Sequence, residues 1–317
     1  MGSHLSEYLL SQGHEVTVLD DLSTGTRENL TAVPGHGSVG LVEGSVLDEA
    51  TLARAMDGMD TVFHLASAVG VKLVVADPLR TIETSVRGTR LVMEKALERG
   101  ARVLVTSTSE IYGKNGAVPL GEEADRVLGS PLRSRWSYSE GKAMEELIAR
   151  TYWAEHGVPV TIARLFNTVG PRQTGRYGMV LPRFVAQAVA GEALTVYGDG
   201  SQTRCFCWVG DVVPALVGLV GCEGARGDAV NLGSTDEVTV AELAARVVQA
   251  TGSSSEVVHM PYEEAYGEGF EEIPRRVPDI TRARELIGFE PRTSLDEIIA
   301  RLVDGARGSR SGKAPTV

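Results

Sequence analysis

Residues 101–110 read ARVLVTSTSE, an apolar run through Val103, Leu104 and Val105 that stops in hydroxyls and one carboxylate. The β-branched content predicts a strand over 101–107, and its small polar end marks where open α/β sheets hold their ligands. Similar runs occur upstream at 14–20 (HEVTVLD), 39–43 (VGLVE) and 61–66 (TVFHLA), and downstream at 158–163 (VPVTIA). Helix-spaced segments lie between them at 5–11, 52–56, 84–99 and 138–155. In the last, Met144, Leu147, Ile148 and Tyr152 recur at helical steps before Gly157, a natural stop. Strands alternating with helices predict a doubly wound parallel α/β sheet. Beyond Gly170-Pro171 the pattern loosens, with helices expected at 180–190, 211–219 and 240–250 and extended segments at 194–197 and 230–232.

Composition narrows the partners. The 317 residues are 43% hydrophobic and 23% charged, with a net charge of −11. That balance argues against nucleic acid, which needs a basic face, but two or three arginines suffice for a small diphosphate. No stretch approaches the roughly 20 apolar residues of a membrane span. The opening Met1-Gly2-Ser3-His4-Leu5 carries no secretory signal, and three cysteines cannot build a disulfide framework. Both features fit a reducing, cytoplasmic setting. Cys205 and Cys207, two apart on an expected strand, should share a face; lacking a second ligand pair, they read as small buried hydrophobes rather than a zinc site. The six histidines are scattered and form no metal motif.

Three groups of residues carry chemistry. Asp20-Asp21 closes the strand at 14–20, where a carboxylate accepts both hydroxyls of an adenosine ribose and repels a 2′-phosphate, favouring NAD over NADP. A solvated turn is the alternative. Tyr138 and Lys142, four apart, share a helical face. An ammonium there lowers the phenol pKa and lets it act as a general base; a chance surface pair is the alternative. Thr108, Ser109 and Glu110 follow the strand end, offering a hydroxyl to a reacting alcohol and a carboxylate for a second proton, unless they merely cap a loop. A further segment, Arg164 to Arg172 (RLFNTVGPR), brings Asn167 and a Gly-Pro turn to another strand end.

Taken in order, these segments resemble the extended short-chain dehydrogenase/reductases, the nucleotide-sugar epimerase/dehydratase family. The matching stretches include Leu19-Asp-Asp21, His64-Leu-Ala66, Ser107-Thr-Ser-Glu-Ile-Tyr-Gly113, Tyr138-x-x-x-Lys142, Arg164-x-Phe-Asn-x-x-Gly-Pro171, residues 194–204 (LTVYGDGSQTR), Asn231-Leu-Gly233 and Arg276-Val-Pro-Asp279. The resemblance implies a Rossmann-type NAD-binding domain at 1–168, a smaller nucleotide-sugar lobe at 169–305 partly interleaved with it, and a disordered tail at 306–317. It assigns Tyr138 as the base at the sugar 4-hydroxyl, Lys142 as its partner on the nicotinamide ribose, and Thr108 as a hydroxyl ligand. NAD would also meet Gly2, Asp20, Asp21, Ser45, Val46, Leu65, Ala66 and Ser67. Asn167, Arg204 and Arg276 would grip the diphosphate, with Val196 and Tyr197 along the base. A homodimer through the helices at 84–99 and 138–155 is also implied.

The chain departs from the family at Ser45, where Asp is usual, and at Ser85, where Asn is common. Its opening is the larger departure. Gly2 stands where the last glycine of a phosphate-binding turn belongs, and neither the turn nor a central first strand precedes it. The expectation is that about twenty upstream residues supply them and that residues 1–317 alone are poorly soluble or hold NAD weakly. A non-catalytic sugar-nucleotide-binding remnant is the alternative of another class.

Thr108-Ser109-Glu110 also bears on the reaction. The 4,6-dehydratases of this family place Asp where Ser109 stands, and simple 4-epimerases place a small or neutral residue at Glu110. The combination looks most like UDP-glucuronate decarboxylases, which pass through a 4-ketone and release carbon dioxide to give UDP-xylose. Glu110 and Ser109 would handle the carboxylate and the proton. A UDP-glucose or UDP-glucuronate 4-epimerase is the second reading.

Overall fold

The computed structural model describes residues 1–31, 39–67, 77–173, 179–267 and 271–311. The first half supplies strands β1 (Val16–Asp20), β2 (Val39–Glu43), β3 (Thr61–His64), β4 (Arg102–Thr108) and β5 (Val160–Leu165). Its helices are α1 (Gly2–Ser11), α2 (Glu49–Ala55), α3 (Pro78–Glu83), α4 (Thr89–Arg99) and α5 (Ser137–His156). Later come β6 (Thr168–Val169), α6 (Val180–Ala190), β7 (Leu194–Tyr197), β8 (Thr203–Cys205), β9 (Cys207–Trp208) and α7 (Val209–Gly221). The chain closes with β10 (Ala229–Leu232), β11 (Glu237–Thr239), α8 (Val240–Thr251), β12 (Val257–Met260), α9 (Thr281–Ile287) and α10 (Leu295–Ser311).

The main sheet is parallel, in the order β10-β5-β4-β3. Alternation along its strands feeds two cores, because successive side chains leave opposite faces. Val103, Val105, Val160 and Ile162 pack with Leu91, Val92, Met93 and Ala96 of α4 and Ala149 of α5. Leu104, Ala163, Val230 and Leu232 pack on the other side with Val212, Leu216 and Leu219 of α7 and Ala283 of α9. A third core belongs to the later segment, where Leu181, Phe184, Leu194, Val196, Leu243, Val247, Ile298 and Ile299 gather. The chain nonetheless returns to the first sheet, since β10 lies beside β5.

Several expectations need correction. The tail does not begin at 306: α10 continues through Ser311, held by buried Leu302 and Val303 and by Arg307 donating to the Thr251 carbonyl at 2.7 Å. Residues 312–317 lie outside the described residues. Cys205 and Cys207 do not share one strand; β8 ends at Cys205, paired with β11, and β9 starts at Cys207, paired with β6. Both are buried, and burial pushes both thiols up to about 12, as inert core residues require. The helix expected at 84–99 starts earlier, at Pro78 behind an Asp77 cap, and widens into a π-turn at Thr84–Gly88.

The two-stranded sheet β1-β2 stands apart from the main sheet. Among the described residues β1 pairs only with β2 and β3 only with β4, so β1 and β3 face each other across an unpaired gap. Burial follows this pattern: β1 is half-buried to exposed, whereas β4 is buried beyond its first residue and β10 throughout. Native-state hydrogen exchange should therefore find the β4 amides slowest and the β1 and β3 amides faster by at least about tenfold. Equal protection of all three strands would show that the gap is closed in solution.

Candidate active site

A cleft of about 1270 Å³ runs from the β1–β3 gap, past the carboxyl end of β4, to the later segment. Every expected site residue except Val196 lines it. On β7, Leu194 and Val196 turn into the third core while Thr195 and Tyr197 turn out, so only Tyr197 offers its side chain. Val196, expected along the base, is therefore left with its backbone alone to offer there.

Helix α5 delivers two groups to the cleft floor. Lys142, 2% exposed, donates to the Thr106 carbonyl at 2.8 Å and to Glu145 Oε2 at 2.9 Å. Tyr138, one turn earlier, keeps part of its ring open to the cleft although protein surrounds it. Its phenol lies well above the usual range. Burial is the main cause, Glu110 and Glu145 add to it, and the Thr108 and Ser67 hydroxyls act against it. The simple expectation that Lys142 lowers this pKa is thus not met, because burial, then Glu110 and Glu145, raise it.

The turn after β4 carries Thr108, Ser109 and Glu110. Thr108 caps it, accepting from the Glu110 amide at 3.2 Å. Burial raises the Glu110 pKa, but Arg135, Arg276 and Arg204 outweigh it and hold the carboxyl down to about 2. Arg135 donates to Glu110 Oε2 at 2.6 Å, and Arg276 reaches Oε1 at 3.3 Å and Ser109 Oγ at 3.4 Å. Arg204 pairs with Glu272 at 2.6 Å. Three guanidiniums thus converge on Glu110 and Glu272, donors of the kind that bind an anionic ligand. Sequence reasoning missed Arg135 and Glu272; Arg135 lies three residues before Tyr138, close enough to have been suspected. It also missed Arg183, stacked over the Tyr197 ring at 4.0 Å, and Tyr266, edge-on to Tyr197 at 5.3 Å.

The other arm of the cleft has the features of a dinucleotide site. Asp21 is committed to Arg80 at 3.0 Å and to the Ser23 amide at 3.0 Å. Among the described residues Asp20 accepts only the nearby Leu22 amide, at 2.7 Å, and so is the carboxylate left for a ribose. The uncapped N-terminus of α1, with Gly2, opens on the same cleft. It is anchored there by His4 to the Pro171 carbonyl at 2.9 Å. Ser45 and Val46 stand beyond Asp20, and Leu65, Ala66 and Ser67 continue from β3. Ser67 Oγ and Ser107 Oγ, both without a well-formed hydrogen bond among the described residues, are buried along this wall. Unsatisfied hydroxyls on a long cleft fit a polar ligand such as a dinucleotide.

A sequence profile described as GDP-mannose 4,6 dehydratase matches residues 1–302. The chain belongs to this family. It is 42% identical over 301 residues to the UDP-N-acetyl-alpha-D-glucosaminuronate decarboxylase of Bacillus cytotoxicus, covering 94% of this chain and 91% of that protein. UDP-glucuronic acid decarboxylase 1 of Xenopus tropicalis is 36% identical, over 94% of this chain and 67% of its own length. Among solved structures, the UDP-glucose 4-epimerase of Thermotoga maritima with UDP-glucose superposes with a TM-score of 0.87 at 29% identity, covering 98% of this chain and 96% of that one. The dTDP-glucose 4,6-dehydratase of Streptomyces venezuelae with NAD bound gives 0.87 at 28% identity, over 98% and 94%. This is therefore an enzyme of the nucleotide-sugar group. Among the described residues no cluster suits a metal ion, and no helix is long and apolar enough to cross a membrane.

The arginine cluster makes a stability prediction. Glu110 sits at about 2, below the 4.5 of an unperturbed Glu. Its pairing therefore stabilises the fold fully above about pH 4.5, and that contribution is lost as pH falls toward 2. Glu110→Gln should cost roughly 3 kcal/mol at pH 7, since it removes the buried carboxylate that Arg135 and Arg276 share. Urea melts should show the gap between wild type and variant narrowing below about pH 4. A gap that stays constant from pH 7 to pH 3 would contradict this assignment.

Proposed function

We propose that the protein decarboxylates a UDP-linked uronic acid through a 4-keto intermediate, with NAD regenerated in each turnover. The observation that carries this is the Glu110–Arg135–Arg276 cluster beside Tyr138, with Arg204 and Glu272 alongside it. Such a cluster suits a uronate carboxylate, which a UDP-glucose 4-epimerase does not bind, and Thr108-Ser109-Glu110 is the combination that looks most like the decarboxylases. NAD, held by Asp20, Ser67 and Lys142, supplies the hydride acceptor and donor at C4.

The protein's own groups then divide the work. Thr108 orients the 4-hydroxyl and Tyr138 removes its proton. The resulting 4-ketone makes the sugar a β-keto acid, so the C5 carboxylate leaves as carbon dioxide and its bonding electrons pass to the carbonyl oxygen. Arg276 and Arg135 hold the carboxylate until that step. Glu110, ionised, keeps both guanidiniums in place and is an acceptor rather than an acid. Ser109, which accepts from Arg276, is the hydroxyl assigned to return a proton to C5. Asn167 and Arg204 bind the diphosphate, and Tyr197 lies along the base.

Identity to the Bacillus cytotoxicus enzyme over most of both chains supports a 2-acetamido uronate as well as UDP-glucuronate. A 4-epimerase is the second reading, supported by the superposition on the Thermotoga maritima enzyme. A homodimer also follows. Leu79 and Ile82 on α3 and Met144 and Leu147 on α5 are 75%, 41%, 43% and 58% exposed, an apolar face that a second copy would cover. The buried free thiols of Cys205 and Cys207 support a reducing, cytoplasmic location.

The test is carbon dioxide release from UDP-glucuronate and UDP-N-acetylglucosaminuronate, with product analysis by NMR. Release from at least one is expected. Tyr138→Phe, which keeps the ring and removes the proton acceptor, should lose at least about a hundredfold in turnover. No carbon dioxide from either, with interconversion of UDP-glucose and UDP-galactose, would replace this reading by the epimerase.

A further inference from the structure

Helix α5 buries a carboxylate that this chemistry leaves unused. Glu145 is fully buried and lies one turn after Lys142, with Oε2 accepting from the ammonium at 2.9 Å. Among the described residues its other oxygen, Oε1, has no hydrogen-bond partner. Burial raises the Glu145 pKa; the Lys142 ammonium and then the Ser85 hydroxyl of the π-turn act against it and favour the ionised carboxylate, although no well-formed hydrogen bond joins Ser85 to Glu145 and Ser85 Oγ has no partner among the described residues. The π-turn can come this near because residue 141 is glycine: a Cβ there would lie 3.1 Å from Ser85 Cβ and Oγ. Ser85 is also the position where the resemblance leads one to expect Asn. A small hydroxyl on one element and a buried acid on the other therefore meet under the cleft floor.

We propose that Glu145 is a positioning residue that cancels the charge of Lys142 and holds its ammonium against β4, so that Tyr138 and the nicotinamide meet a neutral pair rather than a lone cation. This rests on the assignment of Tyr138 and Lys142 given above. The ammonium has three donors, and the Thr106 carbonyl and Glu145 take two, leaving one for a cofactor hydroxyl.

The surroundings leave few other groups to set this balance. On α5, Glu146 is neutralised by Arg164 of β5, at 2.7 Å. On β3, His64 is held neutral, pushed down to about 3 by burial and then by Lys142. The turn after β4 contributes Glu110, already paired with Arg135 and Arg276. The π-turn contributes Ser85, and on α4 the exposed Arg90 pairs with Glu94 at the surface. Lys142 and Glu145 thus form the one charge pair beneath Tyr138 among these groups.

Glu145→Gln keeps the shape and removes the charge. The uncompensated ammonium then disfavours the cationic ring of NAD but not the neutral ring of NADH. NAD affinity should fall relative to NADH by about tenfold, read by calorimetric titration of both. Loss of the carboxylate also eases deprotonation of Tyr138, so the acid limb of the turnover profile should move about one pH unit toward acid. Glu145→Asp keeps the charge and should leave both readouts near wild type. Glu145→Met, neutral and of similar volume, should repeat the Gln result and replaces that variant if it does not fold. An unchanged NAD-to-NADH ratio and an unchanged acid limb in a folded neutral variant would overturn the proposal, whatever the loss of thermal stability. Normal turnover of Tyr138→Phe would instead overturn the base assignment. The affinity ratio still reads Glu145 in that case, because it involves no proton transfer.

Discussion

Helix α5 brings Tyr138 to the mouth of β4 because Lys142 is buried there as an ion, and an ion at that depth has to be paired. The Thr106 carbonyl and Glu145 supply the pairing. Removing water from an ammonium costs several kcal/mol, so these two contacts fix the rotation of α5 and its height along the strand. Everything above follows from that height. Thr108, Ser109 and Glu110 leave β4 beside the turn of α5 that carries Tyr138, and the cleft floor is closed to solvent beneath them. The same constraint explains the close approach of the π-turn, which can seal the pair only against a glycine at 141.

The upper part of the site is held by charge rather than by packing. Glu110, Arg135, Arg204, Glu272 and Arg276 come from widely separated parts of the chain and meet through ion pairs that are mostly buried. Arginine suits this role because its planar fork reaches two partners at once and stays charged when buried. A cluster of three guanidiniums is poised for an anion. It also keeps Glu110 ionised, which separates its role from that of a proton donor.

Other stretches that carry the family resemblance turn out to be scaffold. Arg164 pairs with Glu146 of α5 and donates to the Tyr112 hydroxyl at 2.9 Å and to the Glu122 carbonyl at 2.6 Å. Asn231 of β10, fully buried, accepts from Tyr112 at 2.8 Å and donates to the Leu120 carbonyl at 2.9 Å. These are buried polar groups whose hydrogen bonds are satisfied internally. They tie β5, β10 and the segment after β4 together behind the cleft, and so hold the catalytic strand ends in register.

Much of this was legible in the order of residues. Hydrophobic period alone placed β4, β5, α5 and α6 to within a few residues, because burial of one face dictates side-chain type at periods of 2 and 3.6. The four-residue spacing of Tyr138 and Lys142, the Thr-Ser-Glu turn and the Asp20-Asp21 strand end were local patterns, and all of them line the cleft. What only the tertiary structure decided were relations between distant segments. Val196 faces a core rather than a ligand, Cys205 and Cys207 fall in different sheets, and α10 persists to Ser311, because packing partners far along the chain settle each case. Glu145 and Arg135 are the clearest examples. A Glu or an Arg on a helix reads as a solvated charge, and its burial is set by which element lies opposite, which no local spacing records.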